Sequence, residues 1–288
     1  MASSSTSTRE RPPEAAPKTT TPVAKEEIHA ARRPDNGRAT QIEPVIVIKD
    51  LVKQFDDITA VNGLNLEIRR GEMFGFLGPN GAGKTTTISM LSGLLAPSAG
   101  SAQIAGYDIG KQPKQVKELI GVCPQEAAVF KFLTGMENLV LFGTLHGMDK
   151  QLVKERAATL VEQADFSEAA KRRAKGYSGG MMRQLNLMIA LIGDPEIVFL
   201  DEPTVGMDAR ARRRTWEYIG SLKDQCKTVI LTTHYIEEAQ ALSDRVGIID
   251  YGELIALGSP EELMAEHDAK DLESVFLNIT GRRIAEGS

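Results

Sequence analysis

The chain has 288 residues, 42% of them hydrophobic and 25% charged, with a formal net charge of −5. That composition suits a soluble globular chain of one large or two modest domains, and it offers no overall basic field for nucleic acid or an anionic membrane surface. The 2 cysteines, Cys123 and Cys226, form no CxxC pair or disulfide framework, which points to a reducing compartment; the apolar runs, such as Ile197-Val198-Phe199-Leu200, are strand-sized and fall short of the ~20 residues that a spanning helix needs.

Residues 1–43 are rich in Ser, Thr, Pro and Ala, mix both charges and show no apolar periodicity. They bury too little to offset the entropy of ordering, so a disordered tail is expected. The tail lacks the apolar core of a signal peptide, and Glu10, Glu14, Glu26, Glu27 and Asp35 make it too acidic for a transit peptide. Order is expected from Val45-Ile46-Val47-Ile48 onward. Leu64, Leu66 and Ile68 alternate with Asn65 and Glu67, the pattern of a half-buried antiparallel strand. Gly71-Glu72 turns into Met73-Phe74-Gly75-Phe76-Leu77, which suits a buried strand. From Thr85 to Leu95, Ile88, Leu91 and Leu95 recur at helical spacing. Residues 127–176 change texture, with helical spacing over Glu137 to Leu145 and Gln151 to Ala164 and few strand signals. Val198 to Leu200 and Val229 to Leu231 read as buried parallel strands that run into polar residues. Val246 to Ile249 and Leu254 to Ala256 flank the hairpin signal Asp250-Tyr251-Gly252. Ser259-Pro260-Glu261-Glu262 is a capping box with proline at the first helical position, and Leu272, Val275, Phe276 and Ile279 form a last amphipathic helix stopped by Gly281.

Between the buried strand and the first helix lies Gly78-Pro79-Asn80-Gly81-Ala82-Gly83-Lys84-Thr85-Thr86, a complete G-x-x-x-x-G-K-[ST] loop. Glycines let backbone N–H groups curl round phosphate oxygens, Lys84 brings a point charge to the β- and γ-phosphates, and the Thr85 hydroxyl suits Mg²⁺. The loop opens a helix from Thr85, whose N-terminus faces the phosphates. Further along, an apolar strand ends in Asp201-Glu202. A carboxylate at Asp201 can hold Mg²⁺ directly or through water, and Glu202 can orient or deprotonate an attacking water. Two solvated acids at a strand end look the same in isolation; the company of the phosphate loop favours catalysis. Arg210, Arg212, Arg213 and Arg214 form a basic run, read as a solvated helix face because no aromatic platform for nucleic acid accompanies it.

Tyr177-Ser178-Gly179-Gly180-Met181 resembles the signature of ATP-binding cassette (ABC) proteins, usually Leu-Ser-Gly-Gly-Gln, with Tyr177 and Met181 as departures. Ser178, Gly179 and Gly180 match, at a helix start where N–H groups can grip a γ-phosphate. The resemblance extends over residues 44–281. It implies that Gln125 is the Q-loop glutamine that senses Mg²⁺ and water, that Asp208 belongs to the D-loop, that His234 is the switch histidine on the γ-phosphate, and that Phe55 stacks on adenine. Asp208 could equally N-cap the next helix, and an aromatic such as Phe55 is more often core. Within the family the chain is similar to cassettes of multicomponent exporters of the drug-resistance, nodulation and polysaccharide type, in Thr232-Thr233-His234-Tyr235-Ile236-Glu237-Glu238-Ala239 and in Leu272-Glu273-Ser274-Val275-Phe276-Leu277.

The implied fold is α/β: a P-loop NTPase core with a mainly parallel sheet, an antiparallel β subdomain and a helical subdomain at about 127–185. The ATPase domain would run over 44–258, with a C-terminal helical extension over 259–288. The implied cofactors are ATP and Mg²⁺, and the implied activity is ATP hydrolysis. The implied partners are a second ABC subunit, giving a dimer (a homodimer at simplest), and a separate transmembrane permease that would hold the chain on the cytoplasmic face of the cell membrane; nucleic acid is not expected. The alternatives are a soluble ABC ATPase acting on ribosomes or nucleic acid, which usually carries two cassettes or a coiled-coil insertion, and a module that binds ATP without turning it over, against which Glu202 and His234 argue.

Overall fold

The computed structural model describes residues 43–126 and 128–281. All but Glu43 of the expected disordered tail lies outside the described residues, as do Ala127 and residues 282–288 of the C-terminal extension.

Apolar alternation builds the first sheet. Strands β1 (Pro44–Phe55) and β2 (Ile58–Arg69) form an antiparallel hairpin that pairs Ile48 with Leu66 and Leu51 with Leu64. Strands β4 (Ala99–Ile104) and β5 (Tyr107–Asp108) extend it in the order β2-β1-β4-β5. Leu64, Leu66 and Ile68 are buried on one face, while Asn65 and Glu67 are exposed on the other. The second sheet has the order β10-β9-β3-β8-β7-β6. Its strands are β3 (Met73–Leu77), β6 (Ile120–Cys123), β7 (Ile197–Asp201), β8 (Thr228–Thr233), β9 (Arg245–Asp250) and β10 (Glu253–Gly258). All of its pairings are parallel except the β9–β10 hairpin.

Both faces of this parallel sheet are covered, which explains the near-continuous apolar runs. Phe74, Phe76, Phe199 and Ile230 pack toward the antiparallel sheet, with the Phe74 and Phe76 rings edge-on at 4.9 Å. Met73, Val198, Leu200, Val229 and Leu231 point to the opposite face and meet the helices. Successive side chains in a strand face opposite ways, so one short run feeds two cores.

The helices are α1 (Lys84–Leu91), α2 (Pro113–Leu119), α3 (Gly135–Leu145), α4 (Lys150–Gln163), α5 (Ser167–Ala170), α6 (Gly179–Leu191), α7 (Ala209–Asp224), α8 (Ile236–Leu242), α9 (Pro260–Glu266) and α10 (Leu272–Thr280). Side-chain caps fix the starts of α3, α4, α6, α7, α9 and α10. Thr134 and Glu137 form a capping box on α3, as Ser259 and Glu262 do on α9. Helix α1 is shorter than the spacing through Leu95 predicts: Gly93 adopts φ 69°, the chain leaves the helix there, and Leu94 is exposed. Helix α6 buries Leu185, Leu187 and Met188 against Leu160, Val161 and Phe166. Helices α9 and α10 bury Leu263, Leu272, Val275 and Phe276 against Val246 and Ile248 of β9.

Parallel pairing carries a functional consequence. With Leu77 beside Thr233 and Asp201 beside Thr232, the carboxyl ends of β3, β7 and β8 lie together, and the loops that follow them share one edge of the sheet.

Candidate nucleotide site

The loop after β3 is shaped by close backbone approach. A Cβ on Gly78 would lie 2.2 Å from the Ile249 carbonyl oxygen, and one on Gly83 would lie 2.3 Å from that of Ala60. Gly83 also sits at φ 104°, where an L side chain is strained, and it is the N-cap of α1. No side chain caps this terminus, so its first-turn N–H groups are open to an anion. Between these glycines the Ala82 amide donates to the Pro79 oxygen at 3.2 Å, and Gly81 (φ 83°) and Asn80 form the exposed crest. Thr86 follows in the first turn of α1.

Lys84 is buried, with its ammonium folded into its own loop. Nζ donates to Gly78 O at 2.6 Å and Pro79 O at 3.0 Å and lies 3.9 Å from Glu202 Oε1. Burial lowers its pKa, against the opposing pull of Glu202 and Asp201. Thr85 Oγ1 donates to Asp201 Oδ1 at 3.0 Å, and Thr232 Oγ1 donates to the same oxygen at 2.5 Å. Burial raises the Asp201 pKa while these two hydroxyls resist the rise. A hydroxyl and a carboxylate are hard oxygen donors, and Mg²⁺ sites in nucleotide enzymes use one or two carboxylates together with substrate phosphates, so the pair fits that ion.

Glu202 follows Asp201 at φ 48°, an uncommon backbone for a residue with a side chain, at a cost of roughly 1–3 kcal/mol. Its amide donates to Thr232 Oγ1 at 3.0 Å. Its carboxylate is held from two sides: Oε1 lies 3.1 Å from His234 Nδ1, and Oε2 accepts from Gln125 Nε2 at 3.1 Å. Burial pushes the Glu202 pKa up, but His234, Lys84 and Arg183 outweigh it and hold the carboxyl below its ordinary range. It is therefore ionised at neutral pH and able to accept a proton. The structure thus brings Lys84, Thr85, Gln125, Asp201, Glu202 and His234 to one edge of the sheet.

The other expected residues, Ser178, Gly179, Gly180, Asp208 and Phe55, lie in different surroundings. Ser178 N-caps α6, accepting from the Met181 amide, and Asp208 N-caps α7, accepting from Arg210 and Ala211. Ser178, Gly179 and Gly180 share a cleft of about 430 Å³ with Met207 and Asp208, and no phosphate-loop residue lines it. Phe55 ends β1 with 44% of its surface exposed and Lys53 Nζ 5.0 Å from its ring centroid, so it is not a core aromatic. Arg212 departs from the solvated-face reading of the basic run: it is half-buried, 5.2 Å from the Tyr235 ring and 5.8 Å from the Trp216 ring. Sequence reasoning passed over Thr232 and two residues of α6. Arg183 donates to the carbonyls of Pro124 and Gln125, while Asn186 donates to Pro124 O and accepts from the Ala128 amide. Their i, i+3 spacing just after Ser178-Gly179-Gly180 is the signal that would have found them.

A family model described as ABC transporter matches residues 61–205. The doxorubicin resistance ATP-binding protein DrrA of Mycobacterium tuberculosis is 45% identical over 228 residues, covering 76% of this chain and 69% of that protein. The chain belongs to the ABC transporter family. Linearmycin resistance ATP-binding protein LnrL of Bacillus subtilis is 43% identical, over 75% of this chain and 69% of its own length. Nod factor export ATP-binding protein I of Ralstonia nicotianae is 40% identical, over 81% and 73%. Among solved structures, an ABC transporter ATP-binding subunit superposes with a TM-score of 0.74 at 24% identity, over 82% of this chain and 99% of that one. A dimeric post-hydrolysis ATP-binding cassette with ADP and Pi superposes at 0.68 and 24%, over 74% and 98%. These neighbours share the ABC ATPase fold. The alternative of a ribosome or nucleic-acid ATPase gives way to an ATP-hydrolysing subunit of an exporter-type ABC transporter.

Proposed function

We propose that this chain hydrolyses ATP at the edge formed by β3, β7 and β8, and does so as one half of a cassette dimer. The loop amides of residues 78–86 and the N-terminus of α1 hold the phosphates. Lys84 leaves its own loop carbonyls to meet the β- and γ-phosphates. Thr85 and Asp201, with Gln125 beside them, hold Mg²⁺, which when bound neutralises charge on the phosphate oxygens. Glu202 orients the attacking water and accepts its proton. His234 hydrogen-bonds Glu202 and faces the γ-phosphate, and Phe55 stacks on the adenine. Ser178, Gly179 and Gly180 complete the site of a second copy, with Asp208 at the contact between copies; the separation of their cleft from the phosphate loop supports this, because one chain then carries two unlike half-sites.

Among the described residues no helix is long and apolar enough to cross a membrane. We therefore assign the channel to a separate permease, with this chain peripheral on the cytoplasmic face of the membrane. The names of the drug-resistance and Nod factor export relatives support outward transport.

One observation carries the catalytic reading: an ionised, buried Glu202 held between Gln125 and His234 with Lys84 3.9 Å away. Glu202→Gln keeps shape and hydrogen bonding but removes the base. Hydrolysis should fall by roughly 10²–10⁴-fold, the usual worth of a general base. MgATP should still bind, so a dimer should accumulate on size-exclusion chromatography with MgATP. Wild-type turnover in this variant removes Glu202 from its role.

A further inference from the structure

Glu238 lies in the first turn of α8 with none of its surface exposed. Burying a carboxyl is costly unless it is hydrogen-bonded. Its Oε1 accepts twice, from Thr204 Oγ1 at 2.7 Å and from Trp216 Nε1 at 2.9 Å. The Thr233 hydroxyl lies close enough to influence the group, yet among the described residues Oε2 has no partner in full hydrogen-bond geometry. Burial raises the pKa of Glu238 against the pull of Thr233, Thr204, Trp216 and Arg212. A neutral acid still accepts both bonds at Oε1. Arg212 packs over the Trp216 and Tyr235 rings nearby.

The two partners of this one oxygen come from elements next to the site. Thr204 is two residues beyond Glu202. Trp216 is on α7, the helix that Asp208 opens. Glu238 itself follows His234 by one helical turn. A leucine would fill the same space without the desolvation cost, so simple core packing does not account for a carboxyl here.

We propose that Glu238 is a positioning residue for hydrolysis: by tying Thr204 and Trp216 to the helix behind His234, it holds Glu202 and His234 at the separation their hydrogen bond requires. It is fully buried and acts only through the elements it joins. The inference rests on the roles proposed for Glu202 and His234.

The test compares steady-state ATPase kinetics, binding of a fluorescent ATP analogue and thermal unfolding in the full chain. Glu238→Ala should lower kcat about tenfold or more, since small misplacements of reacting groups cost that much, while KM and analogue affinity stay unchanged. Glu238→Gln keeps an oxygen that accepts from Thr204 and Trp216 and should restore most of the rate. Trp216→Phe and Thr204→Val each remove one donor and should give intermediate kcat values; they decide the matter if Glu238→Ala does not fold. An unchanged kcat in folded Glu238→Ala, or in both donor variants, overturns the proposal, as does Glu238→Gln as impaired as Glu238→Ala. Glu202→Gln run alongside separates the two levels. Wild-type turnover there overturns the roles of the catalytic loops, whereas an inactive Glu202→Gln beside a fully active Glu238→Ala overturns only the role of Glu238.

Discussion

Lys84 is buried and hydrogen-bonds to two carbonyls of its own loop. Desolvation depresses its pKa, while Glu202 and Asp201 pull it back up. A triphosphate supplies a better partner, so Lys84→Ala should strongly weaken MgATP binding and abolish turnover; unchanged affinity by equilibrium titration would contradict the phosphate-loop assignment. Thr232 serves two acids at once, through Asp201 Oδ1 and the Glu202 amide. Thr232→Val keeps the shape and leaves the Glu202 amide with one acceptor fewer. It should cost about 1–3 kcal/mol of stability in denaturant unfolding and lower kcat. These two residues differ in legibility. Lys84 sits in a motif whose spacing has one chemical meaning. Thr232 sits in Thr228–Thr233, where a β-branched residue already suits a strand, so its second task is invisible until β7 and β8 are paired. The left-handed backbone at Glu202 is equally silent, because a glutamate gives no local sign of positive φ.

Among the elements, strands were the most legible. Apolar runs and alternation located β2, β3, β7, β8 and the β9–β10 hairpin, and the capping box at Ser259 located α9. The end of α1 was misread because Leu95 keeps helical spacing while Gly93 has already turned the chain. Asp194, in the turn between α6 and β7, shows how a connection is held. Its Oδ1 lies 2.8 Å from Lys227 Nζ and 3.0 Å from Arg156 Nη2. Burial pushes its pKa up, yet Arg156 and Lys227 more than offset this and lower it below 3.8. A folded pKa below the unfolded one means stability that is fully present above pH ~4 and is lost as pH falls through the folded value. Asp194→Asn tolerates the local φ of 56° and removes only the charge. The Tm gap between wild type and Asp194→Asn should be widest near neutral pH and close below pH ~4. A gap independent of pH would show that Asp194 acts through packing instead.

At the scale of the whole molecule, the family was legible because motifs far apart in the chain converge on one sheet edge, whereas the surface through which force leaves the chain has no motif at all. That surface can be argued from exposure. Gln125 contacts Glu202, while Arg183 and Asn186 of α6 hold the backbone on both sides of it, so the segment after Gln125 is tied to the nucleotide site at its root. Just beyond the tie, the three apolar side chains divide. Val129 packs against the helical core. Phe130 is 52% exposed, with its ring 6.0 Å from Phe142. Phe132 is 77% exposed, a large apolar surface left to water. The contact with the permease is therefore predicted at Phe132, with Phe130 as its buttress. Phe132→Glu should leave analogue binding and the thermal unfolding midpoint unchanged, since the ring supports no core. It should sharply reduce co-purification with the membrane subunit and abolish cargo export from cells. Val129→Glu should instead lower the unfolding midpoint, because it sets a charge against the helical core that Val129 packs on. If Phe132→Glu assembles and exports like wild type, force leaves through another face.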